Sequence, residues 1–142
     1  MYWNRRIKIQ SAYYENGDTM LHYYEIKNNL TPLVFIHAQG VDGLSFENTF
    51  KDLSKNYHIY SVDCYGHGKS LHDATTYNIK HISEAIIDFI QHVVKDKVIL
   101  VGHSSGGLIA AYIASTTDLC AKLVLEDPPF FLFLNLILRN VY

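Results

Sequence analysis

The residues with the plainest chemical potential are Gly102-His103-Ser104-Ser105-Gly106, followed by Gly107. A serine hydroxyl set among small residues is a candidate nucleophile for attack on a carbonyl carbon. Its flanks support that chemistry. Residues 97–102 (KVILVG) are an apolar run that reads as a buried strand. From about Ser105 to Thr116 the chain is apolar nearly all round, which implies a helix packed deep. Ser104 therefore stands on a sharp strand-to-helix turn. Such a turn strains the central residue and exposes its Oγ, while small neighbours let the chain pass closely. The helix N-terminus aims free N–H groups and a positive dipole end at the same spot. The N–H of Ser105 is then placed to stabilise an oxyanion formed by attack of Ser104. The competing reading is a glycine-rich turn without chemistry, since short Gly-x-Ser-x-Gly matches arise by chance. The strand and helix on either side favour the nucleophile.

The elements that must position this serine are legible in outline. Residues 6–14 and 19–27 read as two strands joined at Glu15-Asn16-Gly17-Asp18, where Asn-Gly supplies the positive φ of a tight hairpin. Residues 33–38 (LVFIHA) are a short, almost wholly apolar run, the mark of a strand covered on both faces. Phe46, Phe50 and Leu53 fall on one face of a short helix. Residues 57–63 return to strand character. Asn78 is a candidate cap for an amphipathic helix running to about Lys95, with Ile82, Ile86, Phe89, Ile90 and Val93 on its apolar face. Residues 122–127 form a sixth strand. A hairpin followed by strands alternating with helices implies an α/β sandwich of three layers with a mostly parallel sheet. Ligands of such sheets sit beyond the carboxyl ends of the strands. Segments 37–43, 63–70 and 102–107 lie at those ends.

The three segments together resemble the α/β-hydrolase family over residues from about 6 to 129. Gly102–Gly106 resembles its nucleophile elbow, with Ser104 as nucleophile. Val34-Phe35-Ile36-His37-Ala38-Gln39-Gly40 resembles its strand-then-His-Gly segment, with Ala38 where the family usually has glycine. The resemblance makes the backbone N–H of Gln39 the second oxyanion donor beside that of Ser105, and leaves His37 to brace the loop. Asp63-Cys64-Tyr65-Gly66-His67-Gly68-Lys69-Ser70 resembles the family's D-x-x-G-x-G-x-S loop, in which the glycines make the turn and Asp63 holds it by hydrogen bonds. A phosphate loop is the rival reading of Gly68-Lys69-Ser70. It needs glycine at 63, where the chain has aspartate, and residues 71–78 lack helical periodicity.

The resemblance implies a serine hydrolase acting on a small ester, thioester, lactone or similar carbonyl compound through an acyl-enzyme. It also implies an order of Ser, then acid, then His. No histidine follows His103, whose ring, next to the nucleophile on a tight turn, points away from Ser104 Oγ. Asp127 ends the sixth strand, where some relatives carry the acid; a loop aspartate before Pro128-Pro129 is the plainer reading. The chain reads as the family's core, truncated after about the sixth strand, and by itself as inactive or nearly so. A non-catalytic binding or interaction module of the same fold is the alternative.

Bulk properties set the remaining expectations. A length of 142 residues suits one domain. We expect residues 1–129 to form the core and 130–142 to be an apolar tail. That tail arose through a disrupted reading frame, or else belongs to a short variant and covers a sheet edge. A net charge of −2 argues against nucleic acid or acidic lipid as partners. The expected partner is a small-molecule substrate, with self-association through an exposed sheet edge. Two cysteines, no apolar leader and no membrane-length run suggest a cytoplasmic setting. The eight histidines show no metal-ligand spacing, so no metal or cofactor is expected.

Overall fold

The computed structural model describes residues 7–131. β1 (Gln10–Asn16) and β2 (Thr19–Ile26) form the hairpin. Asn16 already pairs with Thr19, so the turn is Gly17-Asp18 rather than Asn16-Gly17. Gly17 supplies the positive φ, +58°, at the first central position, where a two-residue hairpin turn favours glycine. Residues 7–9, expected within the first strand, lie before it.

β3 (Pro32–Ile36), β4 (His58–Val62), β5 (Val98–His103) and β6 (Cys120–Glu126) run parallel to one another. β2 joins them antiparallel to β4. The six-stranded order is β1-β2-β4-β3-β5-β6. Every residue of β3 is buried, as a strand covered on both faces must be.

One face carries α1 (Glu47–Leu53) and the 3-10 turn before it. Phe46 and Phe50 pack on Phe35, ring centroids 4.6 and 5.6 Å away, in a cluster with Ile26, Leu33, Ile59 and Ile99. The other face carries α2 (Ile79–Phe89) and α3 (Ser105–Thr116). Ile86, Phe89, Ile109 and Ile113 join Leu21, Val34, Ile36, Val62 and Leu100 there. The result is the three-layer α/β sandwich with a mostly parallel sheet that the strand and helix pattern implied.

Three elements differ locally from expectation. The Asn78 side chain does cap α2, accepting the His81 N–H over 3.0 Å. The helix then widens into a π turn over Ile90–Val94 and stops at Lys95, whose φ is +59°. α3 occupies the expected residues but is not buried all round. Ile109, Ala110 and Ile113 are buried, while Ala111, Tyr112 and Ala114 are half-buried, because its described neighbours α2, β3, β5 and β6 leave one face open. β6 starts two residues early, at Cys120, with a register irregularity opposite Val98 and Ile99. Among the described residues β6 pairs with β5 alone, and Leu123 and Val124 remain 38% and 49% exposed. Apart from Phe130 and Phe131, the expected apolar tail lies outside the described residues. No described helix is long and apolar enough to cross a membrane.

Candidate active site

Ser104 is the residue between β5 and α3. Its backbone sits at φ +50° and ψ −119°. A non-glycine residue is rarely found there, at a cost of about 1–3 kcal/mol that the surroundings must sustain. Both of its peptide groups are pinned. The Ser104 N–H donates to the Glu126 carbonyl over 2.8 Å, and the Ser104 carbonyl accepts the Gly107 N–H over 2.9 Å. The residue is half-buried.

The flanking glycines are required by space. A Cβ on Gly102 would run into the backbone of Gly106 and Gly107, and one on Gly106 would meet the carbonyls of Ile36 and His37. That close approach sets the N-terminus of α3 against the loop after β3. The backbone N–H of Gln39 donates to Ser105 Oγ over 2.8 Å. No side chain caps α3. Its first N–H groups, that of Ser105 among them, are therefore left without a side-chain acceptor from the cap residue. The Gln39 N–H and the N-terminus of α3 are thereby brought together at the Ser105 hydroxyl.

His37 is 1% exposed. Its Nδ1 bonds the Ala38 carbonyl at 2.7 Å, and its Nε2 accepts the Cys64 N–H over 2.9 Å. The ring therefore links the loops after β3 and β4. Burial holds it below the ordinary histidine range, against the pull of the Ala38 carbonyl. Asp63 is fully buried and accepts the N–H groups of Gly43 (2.7 Å) and Lys69 (2.9 Å) and the ring of His22 (2.7 Å). Those donors replace the water that a buried carboxylate gives up. His67 Nε2 accepts the Gly40 N–H over 3.1 Å, so it too steadies the loop that carries Gln39.

Beside this site lies a cavity of about 470 Å³. Gln39 and Ser105 stand in its wall, and Tyr77, Ile79, Ile82, Leu108 and Ile109 make much of the rest apolar. Cys64 also lines it, but burial, aided by the Asp63 charge, pushes its thiol up to about 12, which keeps it from competing as a nucleophile. Both cysteines are free. Among the described residues no three His, Cys, Asp or Glu side chains are grouped to hold a metal.

The general base is another matter. The rings of His22, His37, His58, His67, His72, His81 and His92 are each hydrogen-bonded elsewhere. His103 ends β5 level with Glu126. Asp127 is exposed at φ +46°, just after β6, the strand that pairs with β5. The structure brings together Ser104, Ser105, Gln39 and His37 and joins no histidine to Ser104 among the described residues. Sequence reasoning missed His22 and the hydroxyl of Ser105, whose partners lie far off in the chain.

Residues 33–141 match the profile of the Alpha/beta hydrolase family. The chain belongs to that family. It is 34% identical over 125 residues to a Haemophilus influenzae protein provisionally named esterase/lipase, covering 85% of this chain and 40% of that one. It is 31% identical over 109 residues to the pimeloyl-[acyl-carrier protein] methyl ester esterase of Vibrio cholerae, covering 75% and 40%. Among solved structures of the family's fold, a thioesterase domain from the curacin biosynthetic pathway superposes with a TM-score of 0.77 at 27% identity, over 86% of this chain and 47% of that one. A bacterial membrane phospholipase A superposes with a TM-score of 0.80 at 24% identity, over 84% and 40%, a likeness of fold alone. The chain spans about two-fifths of the length of the curated relatives it matches.

Proposed function

We propose that the site is that of a serine hydrolase for small ester-like carbonyl substrates, with Ser104 as nucleophile. The observation that supports this reading is the strained Ser104 backbone at the N-terminus of α3, with the Gln39 N–H held against Ser105 Oγ next to it. Ser104 Oγ adds to the carbonyl carbon and loses its proton to a base. The carbonyl oxygen takes the negative charge and receives hydrogen bonds from those two N–H groups. Collapse expels the alcohol or thiol and leaves an acyl ester on Ser104, which water then cleaves. The apolar walls of the neighbouring cavity favour an apolar group on the substrate.

No described histidine bonds Ser104, so we infer that residues 1–142 alone turn over slowly. Loss of one triad member typically leaves about 10³–10⁴-fold catalysis over water. That same gap favours a second reading, a binding module that keeps the elbow without chemistry. Turnover of a p-nitrophenyl ester separates them. A weak rate that falls to background in Ser104→Ala supports the hydrolase. Tight binding of a slowly cleaved ester, with equal rates in both proteins, supports the module.

A further inference from the structure

A complete Ser-His-Asp relay lies elsewhere in this chain. Ser11, His22 and Asp63 stand in a row across three neighbouring strands. β1 pairs with β2 so that Ser11 faces Tyr24 and Tyr13 faces His22. Ser11 is therefore the diagonal neighbour of His22 on one sheet face, within side-chain reach. β2 pairs with β4 through Tyr23 and Val62, and the next step brings the Asp63 N–H to the His22 carbonyl at 2.9 Å. Ser11 Oγ lies 2.6 Å from His22 Nε2, and His22 Nδ1 lies 2.7 Å from Asp63 Oδ2.

The direction of the hydrogen bonds follows from the partners. An ionised carboxylate only accepts, so His22 Nδ1 carries the proton toward Asp63. In the neutral ring Nε2 is then the acceptor, and the Ser11 hydroxyl donates to it. Asp63 is held by Gly43 and Lys69 on its other lone pairs. The His22 ring is clamped edge-on by Tyr13 and Tyr24, centroids 4.9 and 4.8 Å away. His22 and Asp63 are fully buried, while Ser11 is exposed. A buried base thus addresses the hydroxyl of a residue exposed on the edge strand. β1 is the sheet edge among the described residues, so alternate N–H groups beside Ser11 face outward without a ladder partner.

We propose that Ser11 is a second activated hydroxyl, distinct from Ser104, and a site of acylation by activated esters. Ser11 Oγ bonds to the ester carbonyl carbon as its proton passes to His22 Nε2. The carbon–oxygen bond to the leaving group then breaks, and the departing oxygen takes the proton from His22. The products are an acyl ester on Ser11 and a free alcohol or phenol.

The test uses the full chain carrying Ser104→Ala, so its outcome does not depend on the proposed hydrolase site. The protein is treated with p-nitrophenyl acetate, and acetylation is mapped by peptide mass spectrometry. Ser11 is expected to acetylate about tenfold or more faster than the exposed Ser45 and Ser115, the size of a modest general-base effect. The excess should vanish in Ser11→Ala and fall to the Ser45 rate in folded His22→Gln. Should His22→Gln fail to fold, the Ser104→Ala chain with His22 intact, unfolded in urea, serves instead, because unfolding separates Ser11 from His22 and must abolish the excess. Ser11 acetylation no faster than Ser45 and Ser115 in the folded protein overturns the proposal, as does an excess that survives in folded His22→Gln or in urea.

Discussion

The backbone N–H of Gln39 donates to the hydroxyl oxygen of Ser105 over 2.8 Å. The bond ties the loop after β3 to the first turn of α3. On the proposed reading it also occupies a donor that an oxyanion on a Ser104 adduct would need. Removing the hydroxyl frees that donor, and a neutral hydrogen bond is worth about 0.5–1.5 kcal/mol net. Ser105→Ala should therefore speed acylation of Ser104 by about 2- to 10-fold, read from single-turnover release of p-nitrophenol. A rate that stays the same or falls would mean that the Ser105 hydroxyl holds Gln39 in place rather than blocking it.

Gly106→Ala should be costly. Its Cβ would meet the carbonyls of Ile36 and His37, which are backbone of a fully buried strand end and cannot rotate aside. Overpacking of this kind costs about 1–3 kcal/mol. The urea midpoint should fall accordingly, and reactivity at Ser104 should fall with it, since α3 must move away from Gln39.

His37 gives stability a pH dependence of known sign. Burial lowers its pKa in the folded chain, whereas the unfolded chain takes up the proton near ~6.5. Stability from the neutral ring is present above that pH and is lost as pH falls toward the folded value. Urea titrations at about pH 7 and about pH 5 should show a smaller pH effect in His37→Gln than in the parent chain.

Cys64 acts at the alkaline end. Its thiol is pushed up to about 12 in the folded chain, so it stays unionised while the unfolded thiol ionises near ~8.5. Its contribution is present below ~8.5 and is lost between there and about 12. Alkylation by iodoacetamide at about pH 8.5 should spare Cys64 until urea unfolds the protein.

Much of the fold was legible because its signals are local. The β5-to-α3 junction could be read from an apolar run, a glycine pair and a second apolar run, and α3 begins at Ser105 as expected. The cap of α2 was readable from Asn78 for the same reason. What escaped depends on register between distant segments. Nothing around Ser11, His22 or Asp63 marks them as neighbours until β1, β2 and β4 are aligned. The Ser105–Gln39 bond likewise spans residues far apart in the chain, and it forms because Gly106 lets two backbones approach. The half-exposed face of α3 is not legible in composition, which reports apolarity and not which neighbours are there to cover it.

The central claim is that Ser104 is a nucleophile, and covalent labelling tests it most directly. The folded chain is treated with a fluorophosphonate and the adduct is located by peptide mapping. The account predicts an adduct on Ser104 within the peptide spanning β5 and α3, absent from that peptide in Ser104→Ala. Soluble, folded protein that carries no adduct on Ser104 would contradict it.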